Sequence, residues 1–427
     1  MRVRGKPWWI FVAGNLTGAL LVAGLFVAGP FAPPDALEPG ELVILSGKDD
    51  SRGGRQVLID LWNDSHPGNR ARIDELPEAA DGQYAQMYNR TEDDTTDIYN
   101  LDVTWTAAFA DPSSGPARIR AIDESALAAD PGDSFMPNPL QTCRYDGKLW
   151  ALPFNSDAGL LYYRSEKAQA GPFTWAGIAR APDREAAYTT QLQQYEGLTV
   201  NILEAVWSLG GDLDVDEHTG QVTLDLAIWD EAARRLTPRR DGKRSVVLGD
   251  STTFTEGTSR DAFRDGRVPF MRNWPVAYRI MAGGDASPTE TPVEPTWFKV
   301  AQLPGASVLG GQNLAISART KQPRAAQALI EFLTSEHSQR ILFEKGGFAA
   351  TRDAVYNDET VKQNYRYAPT LHAAITTARL RPRSANYVTF SKTLAALVHD
   401  VLVGRTQQLP RNLAAQLTQA LQGKQAN

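Results

Sequence analysis

Cysteine is almost absent from this 427-residue sequence, in which Cys143 is the only one. A single thiol cannot build an internal disulfide framework or a cysteine-based metal site. We therefore predict that Cys143 is a small apolar residue of the protein core.

Long runs of charge of one sign are also missing. The chain has 44 lysine and arginine residues against 50 acidic residues, which gives a formal net charge of −6. A protein that binds nucleic acid needs a basic face, so we expect no nucleic-acid partner. With 42 % hydrophobic and 22 % charged residues, the sequence is globular and long enough for two or three domains.

Motifs of common enzyme classes are absent too. There is no Gly-x-Ser-x-Gly sequence for a serine nucleophile, and the five histidines are scattered without the spacing of metal ligands. Asp212, Asp214 and Asp216 alternate as in a calcium loop, but Glu217 stands where that loop needs glycine. These absences predict a protein that is not an enzyme and holds no metal or cofactor. A glycosidase with paired carboxylates is the catalytic alternative.

The N-terminal residues form a separate segment. Three basic residues precede an apolar run from Trp8 to Ala32, and a positive flank before about 20 apolar residues is either a secretory signal or a membrane anchor. The length favours an anchor, although small residues near the end of the run would suit a signal peptidase. The positive flank stays in the cytoplasm, so the rest of the chain is expected on the outer side. Residues 33–40 read as a linker, and no cysteine follows the run to carry a lipid.

From residue 41 onward, apolar runs alternate with amphipathic stretches. The order strand, helix, strand, helix, strand is typical of a parallel sheet covered by helices. In such sheets ligands gather beyond the carboxyl ends of the strands. Asp49 and Asp102 fall at two of these ends, with Lys48 and Trp105 beside them.

Three short segments combine polar residues with aromatic residues or glycines. The first, LPFNSDAGLLYYRSE at 152–166, predicts a polar bend at 155–157 between two strands. The second, at 268–275, predicts a strand that ends at Trp274, which the following proline holds extended. The third, Gly-Gly-Gln-Asn at 310–313, precedes a further predicted strand.

The C-terminal part is predominantly helical. Leu413, Leu417 and Leu421 recur on one face of the last predicted helix, a pattern typical of a packed helix. Residues 191–209 predict a helix with an apolar face that closes on Gly210-Gly211. Trp207 lies on that face and Trp62 on the apolar face of an earlier predicted helix, so we predict that both belong to the core and do not bind ligand.

Taken in order, the three segments and four further stretches resemble the extracellular solute-binding proteins of ABC importers. The closest likeness is to the sugar-binding members of the maltose and trehalose group. Each motif alone is weakly specific, whereas seven in the family's order are strongly specific, and the resemblance extends from about residue 42 to 425. The stretches are LPFNSDAGLLYYRSE, AFRDGRVPFMRNWPVAY at 262–278, the segment 309–352 that begins LGGQNLAIS, and residues 47–68, 97–110, 195–211 and 379–387.

The resemblance implies an α/β, two-lobe periplasmic-binding-protein-like fold with three crossing segments and an interlobe cleft that closes on the ligand. Residues 41–152 plus 305–357 would form the first lobe, and residues 153–304 plus 358–425 the second. The crossing segments would lie at 152–159, near 300–310 and near 355–365.

The same resemblance implies a receptor that captures a carbohydrate, such as a disaccharide, and delivers it to the permease subunits of an ABC transporter. The alternative is a membrane-anchored sensor on the same fold that signals to another partner. Sugar hydroxyls require charged or amide groups, and the apolar ring faces stack on aromatic side chains. The ligand contacts implied by the resemblance are Asp102, Asp157, Trp274, Gly311 and Arg381, together with Asp49, Asn155 and Gln312.

Gln312 departs from the family pattern, which usually has a tryptophan there as a stacking platform. If stacking on bases is a guide, losing one platform removes roughly 1–3 kcal/mol of binding free energy. That corresponds to a sugar bound about tenfold to a hundredfold more weakly, or to a different sugar.

Overall fold

The computed structural model describes residues 37–49, 53–76, 80–113, 115–124, 134–167, 171–181, 186–238, 245–283 and 294–424. The chain divides into two compact units, Met1–Glu38 and Pro39–Asn427, and the elements below belong to the second. The predicted signal or anchor at residues 1–32 lies outside the described residues, as does the first half of the predicted linker. None of the helices in the described ranges is both long and apolar enough for a membrane crossing.

The described residues form strands and helices, with a run of helices after the last strand. The strands are β1 Leu42–Gly47, β2 Ala71–Leu76, β3 Ile98–Asp102, β4 Arg144–Tyr145, β5 Lys148–Leu149, β6 Leu152–Ala158, β7 Leu160–Arg164, β8 Ala186–Thr189, β9 Asp214–Val215, β10 Val222–Thr223, β11 Ser245–Val247, β12 Phe270–Asn273, β13 Phe298–Gln302 and β14 Leu309–Ile316. The α-helices are α1 Gly54–Ser65, α2 Ala80–Asn89, α3 Thr106–Ala110, α4 Pro137–Thr142, α5 Trp175–Arg180, α6 Glu196–Ser208, α7 Leu226–Leu236, α8 Glu256–Arg264, α9 Val276–Gly283, α10 Pro323–Thr334, α11 Glu336–Ile341, α12 Asp353–Asn357, α13 Glu359–Asn364, α14 Ala368–Thr377, α15 Tyr387–Leu402 and α16 Leu413–Leu421.

Two five-stranded sheets organise these elements. The first has the order β2-β1-β3-β14-β6, and the second has the order β11-β8-β12-β7-β13. In the first sheet, β1 runs parallel to β2 and β3, whereas β14 is antiparallel to both of its neighbours. All six residues of β1 are buried, as expected of a parallel strand that is covered on both faces.

The chain changes sheet at two described places. Gly159 alone separates β6 in the first sheet from β7 in the second, and residues 303–308 lead from β13 back to β14. We call Gly159 the first crossing segment and residues 303–308 the second crossing segment. The first lobe is predicted to end at residue 152, whereas β6 keeps the chain in the first sheet to residue 158. The lobe boundaries themselves stay a prediction.

The polar bend predicted at residues 155–157 is wrong, because this stretch is the end of β6. It pairs with β14 almost along its whole length, with Gln312 opposite Asn155 and Asn313 opposite Pro153. The register shifts between these two pairs, so Phe154 is the extra residue of a β-bulge. Such a bulge tolerates a proline, which has no N–H for the ladder.

Several core predictions are confirmed by burial. Cys143, Trp62 and Trp207 are buried, and so is the leucine face of α16. The helix predicted from residue 191 begins later, at Glu196, because the buried side chain of Gln191 donates to Ser259 Oγ and to the carbonyl of Arg272. It ends where predicted, since Gly210 adopts a φ of +77° beyond the last turn.

Candidate functional site

The predicted site residues of the first sheet lie side by side on three neighbouring strands. Gln312 of β14 is directly opposite Asp102 on β3 and Asn155 on β6. Gly310 is opposite Asp157. Residues that face each other in a ladder project on the same side of the sheet, so the structure brings these carboxylates and amides together.

Two glycines make this arrangement possible. At Gly310 an added Cβ would lie 3.2 Å from Asp157 Cβ and 3.3 Å from the indole ring of Trp274. Gly311 has a φ of +124°, and a Cβ there would collide with the carbonyl oxygen of Asn155 and lie 2.8 Å from Ser156 Cα. Gly311 therefore serves the backbone geometry of β14, and its predicted ligand contact stays a prediction.

Asp102 is held at the end of β3 by a short turn. Its Oδ1 accepts hydrogen bonds from Thr104 N at 2.9 Å and from Thr104 Oγ1 at 2.7 Å. The same oxygen lies 3.6 Å from Arg381 Nη2. One oxygen of Asp102 is thus committed to the protein in a fixed orientation.

Arg381 connects this edge to helix α6. Its side chain is 3 % exposed, and Nη1 donates to Glu196 Oε1 at 2.6 Å. Tyr387 Oη donates to the same oxygen at 2.5 Å, and Ser391 Oγ donates to Oε2. Burial alone would lower the pKa of Arg381, but Tyr387, Asp102 and Glu196 raise it, so the guanidinium stays a cation. Its predicted role as a ligand contact stays a prediction.

Asp157 sits in a less favourable environment for a carboxylate. Its described side-chain hydrogen bond, from Asn155 Nδ2, is long at 3.4 Å. Burial raises its pKa from 3.8 to about 7, and the neighbouring charge of Asp102 adds to the rise, against the opposing effect of Arg55, Arg272 and Arg381. Near neutral pH, Asp157 therefore exchanges between an acceptor and a donor of hydrogen bonds.

This pKa predicts a pH-dependent effect of Asp157→Asn on stability. Folding raises the pKa, so the contribution of Asp157 to stability is fully present below pH 3.8 and is lost as the pH rises to about 7. The unfolding free energy of Asp157→Asn minus that of the wild type should therefore be about 1–3 kcal/mol larger at pH 8 than at pH 4. This range is smaller than the full pKa shift would give, because the side chain is partly exposed. Urea denaturation of both proteins at the two pH values measures this gain.

A control with the opposite sign comes from Asp358. It caps α13 by accepting from Thr360 N and Val361 N, and the hydrogen bond from Val361 N, together with Arg340, holds its pKa below the usual range. Asp358→Asn should therefore lose stability relative to the wild type as the pH rises through the acid range to 3.8, and should change little between pH 4 and pH 8. An Asp157→Asn effect that is equal at both pH values would contradict the raised pKa.

Trp274 reaches this region from the second sheet. It directly follows β12, and its backbone carbonyl accepts from Tyr162 Oη at 2.8 Å. The guanidinium of Arg272 lies 3.8 Å from the centre of an indole ring, and the indole Nε1 donates to Glu256 Oε1 at 3.4 Å. With its ring edge against Gly310, Trp274 is the aromatic side chain that meets the carboxylates of the first sheet.

The side chain of Gln312 is hydrogen-bonded to the polar side chains of Arg55 and Asn100. Its Oε1 accepts from Arg55 Nη2 at 2.5 Å and from Asn100 Nδ2 at 3.2 Å. The side-chain oxygens of Asn100 and Asn155 are buried, and neither accepts a hydrogen bond from another described residue. Two buried acceptors beside Gln312 are therefore unsatisfied by the described residues.

Asp49 lies at the end of β1, beside the start of α1. Its Oδ2 accepts from Arg55 N at 3.2 Å, and its own N–H donates to Glu75 Oε1 at 3.0 Å. These contacts tie the loop after β1 to helix α1. They describe a helix-capping role, and a contact between Asp49 and ligand stays a prediction.

A cavity opens next to Arg381. It is an open depression, and its empty space of about 350 Å³ includes open solvent. It shares Arg381 with the predicted site and reaches Thr142 of α4, but neither Asp157 nor Trp274 lines it. Its lining includes Val103, Thr104, Thr142, Leu309, Arg381 and Arg383. Within the described ranges, no cluster of three or more histidine, cysteine or acidic side chains could hold a metal ion.

The charged residues behind the site were missed from the sequence. Four charged residues contact predicted site residues or the side chains that hold them, and none of the four forms a short motif by itself. They are Glu196, Glu204, Glu256 and Arg272. Arg272 gave the clearest signal, since it interrupts the otherwise apolar start of β12. A basic residue inside a buried strand requires a partner, and its partner Glu204 is distant in the sequence.

Comparisons with known proteins agree with this architecture. The sequence profile of a family described as "Bacterial extracellular solute-binding protein" matches residues 76–369. A "Probable ABC transporter-binding protein" of Deinococcus radiodurans is 28 % identical over 381 residues, which cover 82 % of this chain and 86 % of that protein.

Solved structures are similar over nearly the whole chain. The structure of maltose-bound MalE3 from T. maritima has a TM-score of 0.76 and 26 % identity, and the match covers 90 % of this chain and 99 % of that one. The GacH receptor of Streptomyces glaucescens, described unliganded and in complex with acarbose, has a TM-score of 0.74 and 22 % identity, with 91 % and 100 % covered.

Proposed function

The chain belongs to the bacterial extracellular solute-binding protein family, and from this premise we propose that it captures a carbohydrate and delivers it to an ABC transporter permease. Family membership implies an extracytoplasmic location. The ligand would be a small oligosaccharide such as a disaccharide, bound between two lobes with the boundaries predicted from the sequence. The relatives are described as binding proteins, and we propose no catalytic role for the carboxylates.

One observation carries the proposal, namely the meeting of Trp274 with Asp157 at Gly310. The indole belongs to the second sheet and the carboxylate to the first, yet an added Cβ at Gly310 would lie within 3.3 Å of both side chains. A sugar presents hydroxyl groups at its edge and apolar C–H groups on its faces, so it requires a polar partner and a flat apolar partner together. These two side chains supply both kinds of contact from opposite sheets.

We assign the polar contacts to the first sheet. Asp102 and Asp157 would accept hydrogen bonds from ligand hydroxyls, and the buried oxygens of Asn100 and Asn155 would add two further acceptors. Gln312 would use its amide nitrogen as a donor, because Arg55 and Asn100 already engage its oxygen. Bound in this way, the ligand contacts both sheets only when they are close together, so binding favours a closed form.

Further parts of the proposal concern the partners. A permease would receive the ligand from the closed protein. The N-terminal segment would either anchor the chain to the outer face of the cell membrane or be cleaved. The relatives described above offer nothing that favours a sensor with a different signalling partner.

A thermal-shift experiment tests the proposed function. The purified protein is heated with each member of a panel of mono- and disaccharides that includes maltose and trehalose. A ligand that binds only the folded state raises the melting temperature. At a ligand concentration one hundred times Kd, the apparent free energy of unfolding increases by about 2.7 kcal/mol. One or a few sugars of the panel should therefore give a clear shift.

The control is the double variant Asp102→Asn/Asp157→Asn, which keeps the shape of both side chains and removes their charge. Without sugar it should fold as the wild type does, with only the change in melting temperature expected from Asp157→Asn, and with sugar it should lose most of the shift. If no sugar of the panel shifts the wild type, the carbohydrate assignment is wrong.

A further inference from the structure

A buried ion pair lies behind the candidate site. Glu204 of α6 and Arg272 of β12 form two parallel hydrogen bonds, from Nε to Oε2 at 2.9 Å and from Nη2 to Oε1 at 2.7 Å. The two side chains are 8 % and 1 % exposed. A buried pair of this kind adds little net stability compared with apolar packing, so stability alone does not explain its presence.

The carboxylate of Glu204 also holds the second crossing segment. Its Oε1 accepts from Ser307 Oγ at 3.2 Å and from Val308 N at 3.1 Å. Ser307 Oγ in turn accepts from Gly159 N at 2.5 Å, and Gly159 is the first crossing segment. One carboxylate of the second sheet's helix is therefore connected to both places where the chain changes sheet.

The lack of a side chain at position 159 allows this contact. A Cβ on Gly159 would lie 2.5 Å from Glu204 Oε1 and 2.7 Å from Arg272 Nη2. The first crossing segment thus passes directly against the ion pair, and any larger residue would push the two apart.

The other end of the ion pair contacts the aromatic ring of the site. The guanidinium of Arg272 lies 3.8 Å from the centre of a Trp274 ring. Gln191 restricts the arginine further, because its Oε1 accepts from Nη1 at 3.4 Å and its Nε2 donates to the arginine carbonyl at 2.9 Å. The guanidinium that packs on the indole is therefore held in position by Glu204 and Gln191.

We propose that Glu204 and Arg272 are positioning residues that couple the two crossing segments to Trp274. A rotation between the sheets changes the backbone at Gly159 and at Ser307–Val308. Glu204 follows that change through its hydrogen bonds, and Arg272 transmits it to the indole. The inference rests on the proposed function in one respect, since it gives Trp274 the role of ligand platform.

The test measures the environment of Trp274 directly in the protein without ligand. Tryptophans are replaced by 5-fluorotryptophan, and the fluorine resonance of Trp274 is assigned with Trp274→Phe. Glu204→Gln keeps the shape of the side chain but removes its charge, so the Trp274 resonance should shift or broaden. X-ray scattering on the same sample should show a changed radius of gyration.

Asp97→Asn is the matched control. Like Glu204, Asp97 is buried and accepts hydrogen bonds from one backbone N–H and one hydroxyl group. The donors are Val43 N at 2.9 Å and Thr320 Oγ1 at 2.5 Å. It lies in the first sheet's network and does not contact the crossing segments. This variant should lower the melting temperature while the Trp274 resonance and the radius of gyration stay at their wild-type values.

The sugar that shifts the wild type in the thermal screen provides a second readout. Glu204→Gln should weaken its binding roughly twofold to thirtyfold, the range of mutations that act through a coupling network. If no sugar binds, the proposed function fails, but the ligand-free fluorine spectrum still decides the coupling. An unchanged Trp274 resonance in folded Glu204→Gln overturns the inference.

A second variant covers the case in which Glu204→Gln does not fold. Arg272→Lys keeps the positive charge beside Glu204 but lacks the planar group that stacks on the indole. The Trp274 resonance should then move although the charge pair remains. An unmoved resonance in Arg272→Lys also counts against the inference.

Discussion

Gly311→Ala is expected to reduce the free energy of unfolding by roughly 3 kcal/mol, the upper end of the cost of a non-glycine residue in such a conformation. The φ of +124° is one that residues with a side chain rarely adopt, and the added Cβ meets backbone atoms of Asn155 and Ser156 that cannot move without breaking the β6–β14 ladder. Urea denaturation compares the variant with the wild type.

Gly310→Ala is the matched control for this prediction. The atoms nearest to its Cβ would belong to the side chains of Asp157 and Trp274, and Gly310 is not among the glycines with positive φ. The expected loss of stability is below about 1 kcal/mol, whereas the displaced indole should weaken ligand binding. Equal stability of Gly311→Ala and the wild type would contradict the backbone geometry of β14.

Trp274→Ala is expected to weaken the binding of the sugar found in the thermal screen by about tenfold to a hundredfold, the value of one lost stacking platform. The indole is part-buried, packs on Arg272 and reaches Gly310 and Asp157 with its ring edge. Isothermal titration calorimetry with that sugar measures the change in Kd.

Trp297→Ala provides the comparison for Trp274→Ala. Trp297 is also partly buried next to the second sheet, but it packs on Phe263 and on Arg164, away from the first sheet. Its removal should cost stability and leave the Kd unchanged. If Trp274→Ala binds the sugar as tightly as the wild type does, Trp274 supports only the fold, and the proposed platform is wrong.

Much of the fold could be predicted because it is written in local patterns. The apolar run at residues 42–45 becomes most of a strand that is buried on both faces, and the leucine spacing in α16 repeats once per helical turn. The resemblance to extracellular solute-binding proteins depends on several such stretches in a fixed order. It is confirmed by the family match over residues 76–369.

The errors arose where distant parts of the chain decide the structure. Residues 155–157 contain turn-forming side chains, but β14, far along the chain, pairs with them and holds them extended. Local propensity is a weak guide in such a case, because tertiary pairing overrides it. The helix start at Glu196 moved for the same reason, since Gln191 bonds to residues that follow much later.

The sequence indicated candidate ligand contacts but not the ion pair that lies behind them. Asp102, Asp157 and Trp274 belong to recognisable segments, so their residue types and positions pointed to a ligand. Glu204 and Arg272 also lie in matched segments, but no residue pattern there links them, because their relation exists only once α6 lies against β12. A single sequence contains no signal that pairs two charges so far apart.

The burial of Cys143 has a practical consequence. The thiol is fully buried, and burial raises its pKa, so maleimide and iodoacetamide reagents, which react with accessible thiolates, will spare it. A cysteine introduced at the cavity rim, as in Arg383→Cys, would then be the single reactive thiol of the whole chain. An environment-sensitive dye attached there would turn the protein into a fluorescent biosensor for its own solute, without removal of any native residue beyond that arginine.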